Sequence, residues 1–363
     1  MKRIRKCVAM FIALAMAALV LVGPAKSEDA GRVEAMDYVK SHRWASSTID
    51  EKGKHQITIH DGDNLIYLTE GETDNKPSWS KEGDMLTFFR WNGTYLGKKV
   101  LWDDTEFGPF HLYHDEICVI NVDGTRFKVL VDDTYANVNP TWTRDGTNQI
   151  IFNRYRHSGL GIQIYTVSPD GELNSDRMLS HPKRGGAFYA EWAESGLKDG
   201  RIFIWRIHPV HFLIINPLTP GYAVPGIQTY HLLDPKTQTY QDVKRPNKFP
   251  VHKLSVNPSE TMVVYMKDLN GNPLSYQDSV IAYAEFDLEN LEVKNEVEIS
   301  PDDRSYTDMY PRWSPDEKHI IYSSSRSGKM EQYLYNLETK ETHMVTDSPY
   351  YGDMFPCFED MPK

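Results

Sequence analysis

The densest set of chemistry-bearing residues is His208-Pro209-Val210-His211, followed by Gln228 and His231, with His252 further on. Histidines three apart, beside another imidazole or amide, offer neutral donors to a divalent transition metal. One of the same histidines would serve as a general base, with Arg184 or Arg206 neutralising a substrate carboxylate. This set defines one function class, a polysaccharide lyase, with His208, His211, Gln228 and His231 as the metal set if a metal takes part. A second group is Asp103, Asp104, Glu106, His111 and His114. Its paired carboxylates suit glycoside chemistry, and the same residues also read as a solvated acidic loop. No helix fixes either spacing, and a chain with 13 histidines brings some together by chance. The sequence therefore leans away from catalysis, metal or any cofactor.

A third set is aromatic and polar: Tyr135, Asn137, Tyr189, Tyr306, Asp308, Tyr310, Tyr350, Tyr351 and Asp353. Rings beside amides and carboxylates suit stacking on sugar C–H faces and equally suit a peptide, because tyrosine supplies contact area at low entropy cost. The set predicts a binding face for an envelope protein or a glycan, with some of the tyrosines packing inside the fold instead. Asp61-Gly62-Asp63-Asn64 lacks the remaining ligands of a calcium loop and reads as a hairpin turn. The chain carries no Gly-x-Ser-x-Gly elbow, phosphate loop or dinucleotide fingerprint.

A repeat must position these residues. Pro77-Ser78-Trp79-Ser80-Lys81-Glu82-Gly83, Pro140-Thr141-Trp142-Thr143-Arg144-Asp145-Gly146 and Pro311-Arg312-Trp313-Ser314-Pro315-Asp316-Glu317 each precede an apolar run. Weaker copies centre on Trp192, Leu254 and Phe358. In each, a short strand ends at the anchor, a polar turn closes a hairpin, and an alternating apolar strand follows. Third strands end at further turns, as Ile117–Ile120 does before Asp123-Gly124. Four antiparallel strands per repeat make a β-propeller blade. The anchors lie about 56 residues apart on average, beyond the roughly 40–50 of a typical blade, so the blades carry insertions. The expected fold is all-β: a six-bladed β-propeller over 56–363, closed by strands from both termini. Residues 28–55 precede it, with a short helix over 34–43.

The phrase Pro-x-Trp-Ser-Pro-Asp-Glu at 311–317, with its relatives at 77–83 and 140–146, resembles the WD40-like repeat of the TolB propeller family. The resemblance covers about residue 57 to the C-terminus and implies a TolB-like propeller without the α/β domain of the Tol–Pal component. The histidine set is similar in kind to that of oligogalacturonate lyases, propellers that hold a metal with histidines and a glutamine. That similarity implies the lyase alternative without fixing which residues here are ligands.

Propeller geometry places connections between second and third strands on the same face as connections between blades. Long second-to-third connections are expected near 91–116, 206–228 and 268–279, and long loops on a rigid scaffold concentrate function.

The N-terminus reads as an address. Lys2, Arg3, Arg5 and Lys6 precede an apolar run from Cys7 to Val22, and Ala25-Lys26-Ser27 supplies small residues for cleavage. The run is short of the roughly 20 residues that span a bilayer. A secretory signal over 1–27 is therefore expected, with a periplasmic or secreted product and no stable membrane insertion after cleavage. Formal net charge is −11, from 40 basic and 51 acidic residues. So acidic a chain argues against nucleic acid, whose phosphates require lysine and arginine. Cys118 and Cys357 remain after processing, and two buried free thiols are expected rather than a bridge.

Overall fold

The computed structural model describes residues 28–70, 73–99, 111–155, 162–180, 190–207, 228–245, 251–269, 279–300, 305–348 and 352–359. The expected signal segment lies outside them.

The helix among the described residues is α1 (Glu28–Lys40), which begins earlier than expected and stops at Lys40. Its buried side, Ala35 and Val39, packs on Ile321, Leu334, Val345 and Phe358. Tyr38 seats it further: the ring lies 3.8 Å from that of His319, and the hydroxyl donates to Asp316 Oδ1 at 2.8 Å.

Everything else regular among the described residues is strand. β1 (Trp44–Ile49), β2 (His55–Asp61) and β3 (Asn64–Tyr67) run antiparallel. Up-and-down groups follow: β4 (Asp74–Trp79), β5 (Met85–Lys99), β6 (His111–Asn121) and β7 (Lys128–Val131); then β8 (Ala136–Trp142), β9 (Ile150–Tyr155), β10 (Ile162–Val167) and β11 (Arg177–Met178). Next come β12 (Ala190–Gly196), β13 (Ile202–Ile207), β14 (Gln228–Asp234) and β15 (Thr239–Val243). β16 (Val251–Val256), β17 (Met262–Asp268), β18 (Ser279–Asp287) and β19 (Glu292–Glu298) precede β20 (Asp308–Trp313), β21 (His319–Ser324), β22 (Glu331–Asn336) and β23 (Thr342–Met344). Finally β24 (Gly352–Phe358) pairs antiparallel with β1, giving the order β24-β1-β2-β3. The two ends of the chain thus share one sheet, the pairing that the repeat predicts, and this covers an edge that an open array would expose.

Local chemistry explains the turns. Ser80 Oγ accepts the Asp84 and Met85 amides at 3.2 and 3.0 Å, and Gly83 takes φ 69°. Asn257 Oδ1 does the same for the Thr261 and Met262 amides, at 2.9 Å each, and Ser314 Oγ for the His319 amide at 2.9 Å. A short polar side chain after the anchor therefore closes the hairpin. Between β2 and β3, Gly62 at φ 62° occupies the first position of a two-residue turn, so Asp61–Asn64 is a hairpin.

Two anchors sit out of register with the sequence expectation. Trp79 faces Leu86 and Trp142 faces Ile150 across the hairpin, whereas the corresponding pairs are Gly196↔Ile202 and Val256↔Val263. Trp192 and Leu254 stand earlier in their strands. Each innermost strand carries a bulge at an equivalent place whether or not its tryptophan is in register. Trp192 instead stacks on Trp205, with centroids 3.7 Å apart, and its indole nitrogen donates to Tyr155 Oη at 2.9 Å.

The core lies between successive strand groups. Ile57 and Ile59 pack with Trp79, Leu86 and Phe88, and that same cluster holds Cys118 and Cys357, both buried and unbridged.

Candidate binding face

Four of the second strands carry a basic residue: Arg90 within β5, and Arg154, Arg206 and Lys267 one residue before the ends of β9, β13 and β17. Most find a buried partner at the start of an innermost strand. Arg90 is bidentate to Asp74, at 2.6 and 2.9 Å. Arg154 Nε donates to Asn137 Oδ1 at 2.8 Å, while its Nη atoms meet Asp133 at 2.6 Å and Asp176 at 2.9 Å. Arg206 pairs with Glu191. Lys267 pairs with Glu296 at 2.7 Å and with Glu298. In the last full group Arg326 reaches both oxygens of Asp308 at 3.0 Å and Tyr322 Oη at 2.9 Å. Charges buried this deeply are tolerated because each is paired and further hydrogen-bonded. Asp353 instead accepts from Thr48 and Ser348 at 2.5 and 2.7 Å, and burial raises its pKa.

Of the predicted ligand residues, Asn137, Asp308 and Asp353 belong to this buried layer, at 0, 1 and 3 % exposure. Tyr135 and Tyr306 lie above it, their rings 5.5 and 4.9 Å from the guanidinium carbons of Arg154 and Arg326. Tyr310 is elsewhere, at the bulge of β20 and 4.2 Å from the Phe355 ring. Tyr189, Tyr350, Tyr351 and Arg184 lie outside the described residues, as do His208, His211 and the carboxylates Asp103, Asp104 and Glu106.

The rest of the histidine set does not gather. His231 Nε2 lies 2.8 Å from Thr229 Oγ1 and Nδ1 lies 2.9 Å from Asp242; burial, then Arg206, lowers its pKa. Gln228 is buried, its Nε2 donating to the Val251 carbonyl at 3.0 Å and its Oε1 accepting the Val251 amide at 2.7 Å. His252 is buried edge-on to Trp205, 5.1 Å between centroids, with its pKa pushed down to about 3 by burial and Lys253. Among the described residues no three histidine, cysteine or carboxylate side chains are placed to share a metal. His114 Nε2 lies 3.1 Å from Asp132. Near the same face Asp115 is buried, and burial, then Glu116, raises its carboxyl to about 7.

A second arrangement went unseen in the sequence. Five innermost strands place a non-glycine residue in the left-handed region at their bulge: Lys76, Asn139, Lys253, Tyr310 and Phe355, with φ from 55 to 58°. In β12 the bulge falls at Glu194. The bulges thus recur at an equivalent place in successive innermost strands. Neighbours touch: Lys76 Nζ donates to Asn139 Oδ1 at 2.9 Å, Lys253 Nζ lies 6.0 Å from the Tyr310 ring centre, and Tyr310 and Phe355 are 4.2 Å apart. Glu194 Oε1 accepts from Trp205 Nε1 at 2.6 Å. The only sequence signal was the residue before proline in the repeated phrase, at 76, 139, 310 and 355.

No protein-family model matches the chain, and no curated protein matches it. Solved structures do. TolB from Acinetobacter baumannii superposes with a TM-score of 0.60 at 11 % identity, over 93 % of this chain and 74 % of that one. Hydrazine synthase from Kuenenia stuttgartiensis gives 0.61 at 13 % identity over 89 % of this chain, which spans only 47 % of that larger one. The Cps50 (Swd1) β-propeller domain of Myceliophteria thermophila gives 0.51 at 12 % identity, over 85 % of this chain and 84 % of that one. The chain therefore has a TolB-like β-propeller fold, of the architecture that WD40 proteins also use. At such identities the likeness concerns fold alone.

Proposed function

We propose that the chain is an exported, six-bladed TolB-like propeller that binds an envelope protein or a glycan through the face where its long connections emerge. In this reading residues 1–27 are a cleaved signal, and the mature protein works in the periplasm or outside the cell. No helix among the described residues is long and apolar enough to cross a membrane. The observation that carries the reading is the layer of buried acid–base pairs beneath that face. It fixes the strand ends and holds Tyr135 and Tyr306 over clamped guanidinium groups, so rings suited to recognition are rigid before a partner arrives.

The test is capture from envelope extract beside a glycan array. Tyr135→Ala and Tyr306→Ala should reduce capture with little change in melting temperature. Undiminished capture by the double variant would remove the proposal. The alternative, a polysaccharide lyase working through His208, His211 and His231, with or without a divalent metal, predicts new ultraviolet absorbance on a panel of uronates. Such a signal, lost in His231→Ala, would replace the binding reading.

A further inference from the structure

Most outer strands of these sheets are guarded. β7 carries Lys128, and Asn174 of the following group covers its edge: the Asn174 amide donates to the Leu130 carbonyl at 2.9 Å, and its side-chain oxygen accepts the Asp132 amide at 2.8 Å. β11, β15 and β19 each hold charged residues. β23 lies against α1, where Gly31 backs onto the His343 ring so closely that a Cβ would stand 2.6 Å from Nε2. Charge or cover on an edge strand keeps a sheet from adding a further strand.

β3 has neither device. It ends the closing sheet, with β2 on one side and no strand among the described residues on the other. Asn64–Tyr67 holds no charge, and Leu65, Ile66 and Tyr67 are 42, 41 and 54 % exposed. The other exposed large apolar side chains among the described residues, Val33, Phe127, Leu173 and Val297, stand singly in the sequence, as scattered surface residues do.

The hairpin fixes which backbone groups face outward. Asp61 faces Asn64 across the two-residue turn, Ile59 faces Ile66, and the Leu68 amide donates to the Ile57 carbonyl at 2.9 Å. Hydrogen-bonded pairs alternate along an antiparallel ladder, so Asn64, Ile66 and Leu68 turn their amides and carbonyls toward β2. Leu65 and Tyr67 turn theirs away from it.

Both ends of this edge are acidic. Asp61 and Asp63 precede it and Glu70 follows it, all exposed, and Lys40 meets Asp63 Oδ1 at 2.6 Å. A second copy paired antiparallel, with Leu65 opposite Tyr67, would set Glu70 opposite Gly62 of the other copy, between its Asp61 and Asp63. Like charges so placed oppose pairing. A strand with lysine or arginine at its ends meets the same carboxylates favourably.

We propose that β3 is a docking edge for an extended segment of another protein, one in which apolar residues alternate and basic residues flank them. The segment adds a strand to the closing sheet: its backbone pairs with Leu65 and Tyr67, and its apolar side chains cover Leu65, Ile66 and Tyr67. The assignment does not rest on what the loop-bearing face binds.

Fluorescence anisotropy on the full mature chain tests this with three labelled peptides: Lys-Lys-Val-Thr-Val-Thr-Val-Lys-Lys, the same core flanked by glutamates, and the basic peptide with its central valine replaced by proline. Saturable binding of the first alone is expected, weakening as salt rises. Tyr67→Pro should weaken it at least about tenfold, the scale of losing one hydrogen bond. That variant removes an outward amide and leaves the β2 ladder intact, so its melting temperature should stay close to the parent's. Glu70→Lys should weaken the basic peptide several-fold and strengthen the glutamate-flanked one; as a surface change it decides the matter even if Tyr67→Pro fails to fold. Failure of the basic peptide to bind, equal binding of the basic and acidic peptides, or undiminished binding by folded Tyr67→Pro would overturn the assignment. So would a dimer of the chain alone, seen in sedimentation and dissociated by Tyr67→Pro, which would give the edge to a second copy.

Discussion

The indole nitrogen of Trp142 donates to the backbone carbonyl of Ser78, 3.0 Å away in the innermost strand of the preceding group. Ser78 is the residue just before Trp79, whose own indole donates to the Cys357 carbonyl at 3.1 Å. Trp313 repeats the contact with Ser255 O at 3.1 Å. One side chain thus ends a strand, fills the space between two sheets and hydrogen-bonds the neighbouring sheet near its anchor. That triple duty accounts for tryptophan being the visible mark of the repeat.

Trp142→Phe keeps most of the ring but leaves the Ser78 carbonyl without its donor, at a cost of about 1–3 kcal/mol. Trp142→Ala adds the cavity and should cost about 3–5 kcal/mol. Urea denaturation should rank the two in that order. Equal losses would mean that the hydrogen bond contributes nothing.

Asp115 has its pKa raised to about 7 by burial and Glu116. Its folded-state value lies above its unfolded value of about 4. The folded state then holds a proton that the unfolded state has released, so stability falls as pH climbs from about 4 to 7. Asp115→Asn should remove that slope and leave the variant more stable than the parent at pH 8, with the difference shrinking toward pH 4. Melting temperatures across that range check it.

Two buried histidines act at the acid end. His60, stacked 3.5 Å over Trp44, and His252 both have pKa values pushed down to about 3, chiefly by burial. Their folded-state values lie below the unfolded one, so the stability they preserve is present above about pH 6.5 and is lost as pH falls toward 3. His60→Phe and His252→Phe should flatten the acid limb of a stability profile, and an unchanged limb in the double variant would count against burial as its cause.

Arg326 holds Asp308 with both carboxylate oxygens at 3.0 Å. Arg326→Met leaves that carboxylate, 1 % exposed, without a counter-charge and should cost about 3–5 kcal/mol. The double variant Arg326→Met/Asp308→Leu should recover much of the loss. Chemical denaturation of the three variants measures the coupling directly.

The propeller was legible because its signals are local. A tryptophan, a short polar residue and a glycine within seven positions determine a hairpin whatever surrounds them. The register at Trp192 and Leu254 was not legible, since the positions that correspond to Trp79 and Trp142 are held by Gly196 and Val256, which carry no aromatic mark. Asn137, Asp308 and Asp353 were noticed for their polarity, but their burial depends on Arg154, Arg326 and Thr48, which arrive from neighbouring strands. The set of bulge residues was hidden for another reason. Of its five left-handed residues only Asn139 is a type that favours that conformation, and the proline that follows Lys76, Asn139, Tyr310 and Phe355 was the one local hint.

Ser46 and Asp353 face each other although 307 residues separate them in sequence. Because β24 follows every other described strand in sequence yet pairs with β1, the first sheet stays incomplete until β24 has been made. Refolding should therefore be slow and late to become cooperative, as expected when the decisive pairings join distant parts of a chain.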